Sequence, residues 1–145
     1  MPEKETLERA EKDKGEGKAP STQAGEFVRE EIEHVREGKH GARSTKQAIA
    51  IGLSKARRAG VQLPPPKTGS KRTRKQAARD VAQGRKKGAK KSATRSRATL
   101  QALKREGHSA ASKESLSRQA KSAAKRRSAA ARSRSAKKAA GTRKK

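Results

Sequence analysis

The chain has 145 residues, of which 38% are charged, 28% hydrophobic and 1% aromatic, and its formal net charge is +27. A chain this polar cannot bury enough apolar surface to offset the entropy of ordering all of it, which excludes a full-sized core and predicts a small ordered element with extensive disorder. It contains no cysteine, which excludes a disulfide scaffold and a thiolate zinc site.

The charge is divided unevenly. Met1 to Glu37 carries 7 basic and 11 acidic side chains, a net of −4, whereas Gly38 to Lys145 carries 34 and 3, a net of +31. Such asymmetry points to a polyanionic partner, nucleic acid before an anionic membrane. A membrane-surface helix would present Leu, Phe or Trp on one face, and the basic tail has Ala there instead, so a membrane partner is not expected. The N-terminus is charged throughout and no long apolar run exists, so neither a secretory signal nor a spanning segment is expected.

Residues 1–20 read as a disordered charged leader, with Leu7 as the one bulky apolar side chain before Gly15, Gly17 and Pro20. Residues 21–63 hold most of the large apolar residues and read as an antiparallel helical hairpin. Its first helix is predicted over Thr22–Glu37, capped by Ser21 or Thr22 and closed by Gly38. Ala24, Val28, Ile32 and Val35 share one face, and Glu26, Glu30, Glu33 and Glu37 share the opposite one. That acidic stripe reads either as a solvated face or as a dock for the basic tail. The second helix is predicted over Thr45–Ala59, with a capping box at Ser44 and Gln47 and a Schellman end at Gly60 and Val61. Gly52 within its apolar stripe reads as a close approach of the first helix or as a tolerated glycine. A core this thin would need DNA, a third helix or self-association through the hairpin to be stable.

Residues 64–69 form a proline-rich spacer, stiffened by Pro64, Pro65 and Pro66. Residues 70–145 read as a largely disordered basic tail with helix-prone segments, where Ala favours helix and cation repulsion opposes it. One echo is visible: Arg36 to Lys46 reads REGKHGARSTK, and Arg105 to Lys113 reads REGHSAASK. Each follows a helical pattern and leads into a Ser-capped helix, so the tail is a candidate for a degenerate second hairpin.

The loop Gly38–Lys46 is the sharpest candidate site. Free N–H groups and the dipole at the start of the next helix favour an anion. Lys39, His40, Arg43, Ser44, Thr45 and Lys46 add cations and hydroxyls, so the loop reads as a phosphate cradle, with an ordinary capped loop as the plainer alternative. Further phosphate contacts are expected from Arg57, Arg58, Lys71, Arg72, Arg74, Lys75, Arg85, Lys86, Lys87, Arg126, Arg127, Arg132 and Arg134. No catalytic constellation and no cofactor motif is visible. Glu30 and His34 lie one turn apart, but without an HExxH pattern no metal site is expected.

Single-strand binders stack bases on aromatic rings, and Phe27 is the only aromatic here. What remains is phosphate-dominated binding of duplexes. The run GKHGARSTKQAIAIGLSKARRAGV resembles an uncharacterised bacterial family of small basic proteins, which has no activity to carry over. The tail SAAKRRSAAARSRSAKKAAGTRKK resembles linker-histone tails and bacterial histone-like basic proteins in composition, which implies DNA compaction at the nucleoid. The expectation is a non-enzymatic, histone-like binder of duplex DNA in the bacterial cytoplasm. RNA or ribosome association and a role as a hydrophilic stress protectant are the alternatives.

Overall fold

Two helices, α2 (Pro20–Arg36) and α3 (Thr45–Arg58), cross at a glycine and form the centre of the fold. The computed structural model describes residues 1–86 and 90–144. Pro20 opens α2 at a position where its missing N–H costs nothing, with Ala19 as N-cap; the side chains of Ser21 and Thr22 do not cap it. Ser44 caps α3 by accepting from the Gln47 N–H, while Gln47 Oε1 accepts from the Arg43 N–H rather than from Ser44. Both helices end in Schellman turns. Lys39 N–H donates to His34 O after Gly38 at φ 74°, and Val61 N–H donates to Ala56 O after Gly60 at φ 104°. Gly52 is buried at the crossing, where a Cβ would lie 2.7 Å from the Val28 Cα.

The core forms two clusters along α2. One gathers Ala10, Ala24, Phe27, Ala56 and Val61, with Leu53 and Leu63 against it. Phe27 is 1% exposed, and burial of a side chain of that size contributes about 1.5–3 kcal/mol. The other gathers Ile32, Val35, Ala42, Ala48, Ala110 and Ala111, with Val28 and Leu116 against it.

The expectation of extensive disorder is overturned: the chain forms seven α-helices, is 72% helical and contains no strand among the described residues. Residues 4–15, expected to be part of a disordered leader, are helix α1 (Lys4–Gly15), which packs on α2. It buries Thr6, Ala10 and Asp13, small or polar residues that leave no bulky apolar pattern in the sequence.

The tail holds four helices, α4 (Lys71–Arg85), α5 (Ala93–Lys104), α6 (Lys113–Lys125) and α7 (Ala129–Arg143). Each starts at a serine, Ser70, Ser92, Ser112 or Ser128, whose hydroxyl accepts from the N–H three residues on. A Ser cap contributes about 1 kcal/mol, and Ala carries no helix penalty; together they offset the cation repulsion expected to melt the tail. Docking adds to this for α4 and α6. The α4 helix packs on α3 through buried Ala77 and Asp80, and the Asp80 carboxylate accepts from Ser54 Oγ at 2.7 Å and Arg58 Nε at 2.8 Å. Leu116 of α6 lies against the second cluster, whereas α5 and α7 bury no residue.

The echoed segments share cap and loop positions, but no second hairpin forms, because α5 and α6 do not pack on each other as α2 and α3 do. Arg36 ends α2 and Ser44 caps α3; Arg105 follows α5 and Ser112 caps α6. The two connecting loops then dock on each other. Gly41 N–H donates to Leu103 O at 2.9 Å, and Ala42 N–H donates to Gly107 O at 3.0 Å. Thr45 Oγ1 donates to Ala110 O at 2.6 Å and Arg36 Nε to Ala111 O at 2.9 Å. A single-turn 3₁₀ segment, Ser109–Ala111, presses two alanines into the core at this joint.

Candidate nucleic-acid interface

Arg43 and Lys46 stand exposed at the start of α3, beside the N-terminal half of α6. Between these elements runs a cleft of about 460 Å³, lined by Arg43, Ser44, Thr45, Lys46, Ser109, Ala110, Ser115, Arg118, Gln119 and Ser122. Three cations and five hydroxyl-bearing side chains line it, and no carboxylate does. Hydroxyls and guanidinium groups donate to phosphate oxygens, so the lining suits an oxyanion. Arg118 is the cation that sequence reasoning missed, together with the uncharged Ser109, Ser115, Gln119 and Ser122. Its only signal was the echo, which sets the Ser-capped α6 opposite the Ser-capped α3.

The remaining loop candidates have other duties. His40 is 7% exposed; its Nδ1 donates to Gly41 O at 2.9 Å and its Nε2 lies 2.9 Å from Glu31 Oε1. Lys39 is exposed but pairs with Glu3 at 2.9 Å and Glu37 at 3.0 Å, and these contacts hold its ammonium pKa above the ordinary lysine value. The Glu3 carboxyl is held at about 2, first by its hydrogen bond with His34 and then by Lys39. The Ser44 hydroxyl is engaged as a cap, and Thr45 is buried against Ala110.

Arg57 is 8% exposed and donates to the carbonyls of Leu63 and Pro64. Burial lowers its pKa from the ordinary arginine value, with Asp80 opposing. It therefore ties α3 to the proline segment and does not reach a phosphate. Arg58 remains half exposed and pairs with Asp80. On α4, Lys71, Arg72, Arg74 and Lys75 are exposed, as is Arg85, which donates to Gln62 Oε1; Lys86 follows the helix, also exposed. Lys87 lies outside the described residues. Beyond them, Arg126, Arg132 and Arg134 are exposed, and Arg127 donates to Ala131 O and Ser135 Oγ.

The acidic stripe of α2 is solvated at one end, where the Glu33 and Glu37 side chains are 45% and 57% exposed, and covered at Glu26 and Glu30; among the described residues it docks none of the tail. Glu26 pairs with Arg9 of α1, Glu33 with Arg29 and Glu37 with Lys39. Glu30, 2% exposed, accepts from the Glu3 N–H and lies 3.5 Å from Lys55 Nζ. Every ion pair among the described residues uses a cation between Lys4 and Arg58. All the N-terminal acids except Glu11 are thus paired internally, and among the described residues the Lys and Arg of α4 to α7 face solvent without carboxylate partners.

No helix among the described residues is long and apolar enough to cross a membrane. Over residues 13–68, under half of its length, the chain is similar to a family of unknown function, DUF6496. No curated protein and no solved structure matches it.

Proposed function

We propose that the protein binds duplex DNA without catalysing a reaction, neutralising backbone phosphates in the manner of a histone-like protein and contributing to compaction of the nucleoid in the bacterial cytoplasm. The observation that carries this reading is the separation of charge. The acids of α1 and α2, Glu11 excepted, are paired within the N-terminal half, while the cations of α4 to α7 have no ion-pair partner among the described residues. Solvated cations on helices rich in Ala and Ser attract phosphates and release counterions from the duplex. The open cleft between α3 and α6 adds one patch where Arg43, Lys46 and Arg118 line the same surface as several hydroxyl-bearing side chains. Nothing in this arrangement reads bases, because phosphate contacts carry no sequence information.

Binding of random-sequence duplexes across a salt series tests the reading. The affinity should fall steeply and linearly on a log–log plot, with a slope of about −0.9 per phosphate contacted. A flat salt response, or a large preference for one sequence, would sink it. Recovery from lysate that survives DNase but not RNase would assign the same cations to RNA instead.

A further inference from the structure

Glu31, His34 and His40 bring two imidazoles and a carboxylate together between α2 and the loop that follows it. One nitrogen of each ring and one carboxylate oxygen lie within 4.8 Å of one another. The cluster is screened from solvent: Glu31 is 1% exposed, and the His34 and His40 side chains are 12% and 8% exposed. The helix supplies the first two ligands at i and i+3, on one face one turn apart. The Schellman turn at Gly38 folds the chain back and delivers the third.

The hydrogen bonding around His40 asks for a cation. The Gly41 carbonyl can only accept, so the 2.9 Å contact places a hydrogen on His40 Nδ1. In the neutral ring Nε2 is then a bare lone pair, and it faces Glu31 Oε1 at 2.9 Å. Two acceptors that close need a positive centre between them, either a proton or a metal ion. A bridging proton would have to lie near the line between the two atoms, and Glu31 Oε1 has no partner with hydrogen-bond geometry in this arrangement. A metal ion sits off the line joining its ligands, and two donors on a tetrahedral zinc are about 3.3 Å apart.

The surroundings are those of a ligand set. Lys55 Nζ, 2.6 Å from Glu31 Oε2, holds the second carboxylate oxygen and leaves Oε1 to ligate. The Gly41 carbonyl fixes the His40 tautomer, as outer partners of metal-bound imidazoles do. Glu3 Oε1, 3.0 Å from His34 Nε2, adds a carboxylate at the rim.

We propose that Glu31, His34 and His40 bind one divalent transition-metal ion, zinc by the chemistry of two imidazoles and a carboxylate. Three protein ligands leave one tetrahedral position for water. The ion clips the loop that leads to α3 onto α2. The site stands apart from the exposed cations invoked for DNA, so it can fail while that reading survives.

The full chain, freed of metal with a chelator, is titrated with zinc chloride against a chromophoric zinc indicator. One zinc should bind per chain, and His34→Ala and His40→Ala should each weaken it about 100-fold or more. His108→Ala is the matched control, because that imidazole is exposed and outside the cluster; it should leave zinc binding unchanged. Circular dichroism establishes that each variant remains helical. If a cluster variant unfolds, cobalt(II) added to the wild-type chain decides: intense visible bands of a tetrahedral site support the proposal, and the weak spectrum of octahedral aqueous cobalt overturns it. Absence of stoichiometric zinc in the wild type, retention of zinc by both folded cluster variants, or equal loss in His108→Ala would also overturn it.

Discussion

Gly52 of α3 lies against Val28 of α2 so closely that a Cβ at position 52 would stand 2.7 Å from the Val28 Cα and 2.9 Å from its nitrogen. Real Cβ atoms do not approach backbone that closely, and backbone cannot swing aside as a long side chain does. The interhelical distance is therefore set by the absence of one methyl group.

Gly52→Ala should destabilise the protein even though alanine is the better helix former. The propensity gain is about 1 kcal/mol. Forcing α2 and α3 apart costs about 1–3 kcal/mol or more, as overpacking of a close-packed interior does. Urea unfolding of the two proteins, followed by circular dichroism, checks the sign. A stabilised variant would mean that the crossing relaxes freely.

Gly41→Ala should uncouple the α5–α6 connection from the α2–α3 pair. A Cβ there would overlap the Glu106 carbonyl oxygen, next to the Leu103 and Gly107 carbonyls that accept from Gly41 and Ala42. The joint should open while the Phe27 cluster stays intact, because Gly41 does not touch it. Amide exchange should speed up at residues 105–112 and remain slow in residues 24–35. Uniform acceleration would show instead that the two parts unfold as one unit.

The sequence carried the local grammar of the central helices. Ser44 and the Gly60–Val61 end were readable because caps use fixed residue types at fixed offsets. Gly52 stood out because glycine costs about 1 kcal/mol inside a helix unless packing requires it. The rest of the fold was hidden by size. Helix α1 docks through Thr6 and Ala10, and the tail fills the core with Ala110 and Ala111, so periodicity in bulky residues had nothing to register. Charge misled in the opposite direction. Arg57 and His40 were assigned to phosphate by type, yet the fold turns one onto backbone carbonyls and the other towards Glu31. Glu31-x-x-His34 was in plain view, but its third member lies across a turn, and Glu30 drew attention to the wrong register.

The cleft at the start of α3 is where an organised anion site can be told apart from undirected positive charge. Arg43 and Lys46 share it with Arg118 and with the hydroxyls of Ser109, Ser115 and Ser122. Arg132 and Arg134, on α7, are exposed and belong to a helix that buries no residue. Arg43→Ala with Lys46→Ala removes the same charge as Arg132→Ala with Arg134→Ala, so bulk electrostatics predicts equal losses of duplex affinity. If the fold holds the cleft donors in place before the phosphate arrives, each charge-assisted bond there is worth more than one made by a freely moving side chain. The cleft variant should therefore bind about tenfold more weakly than the tail variant at one fixed salt concentration, a difference of about 1.4 kcal/mol. Ser44→Ala should cost about 1 kcal/mol of stability through loss of the cap, without removing a cation. Equal affinities for the two double variants would reduce the cleft to one more basic patch, and affinity would then follow net charge alone.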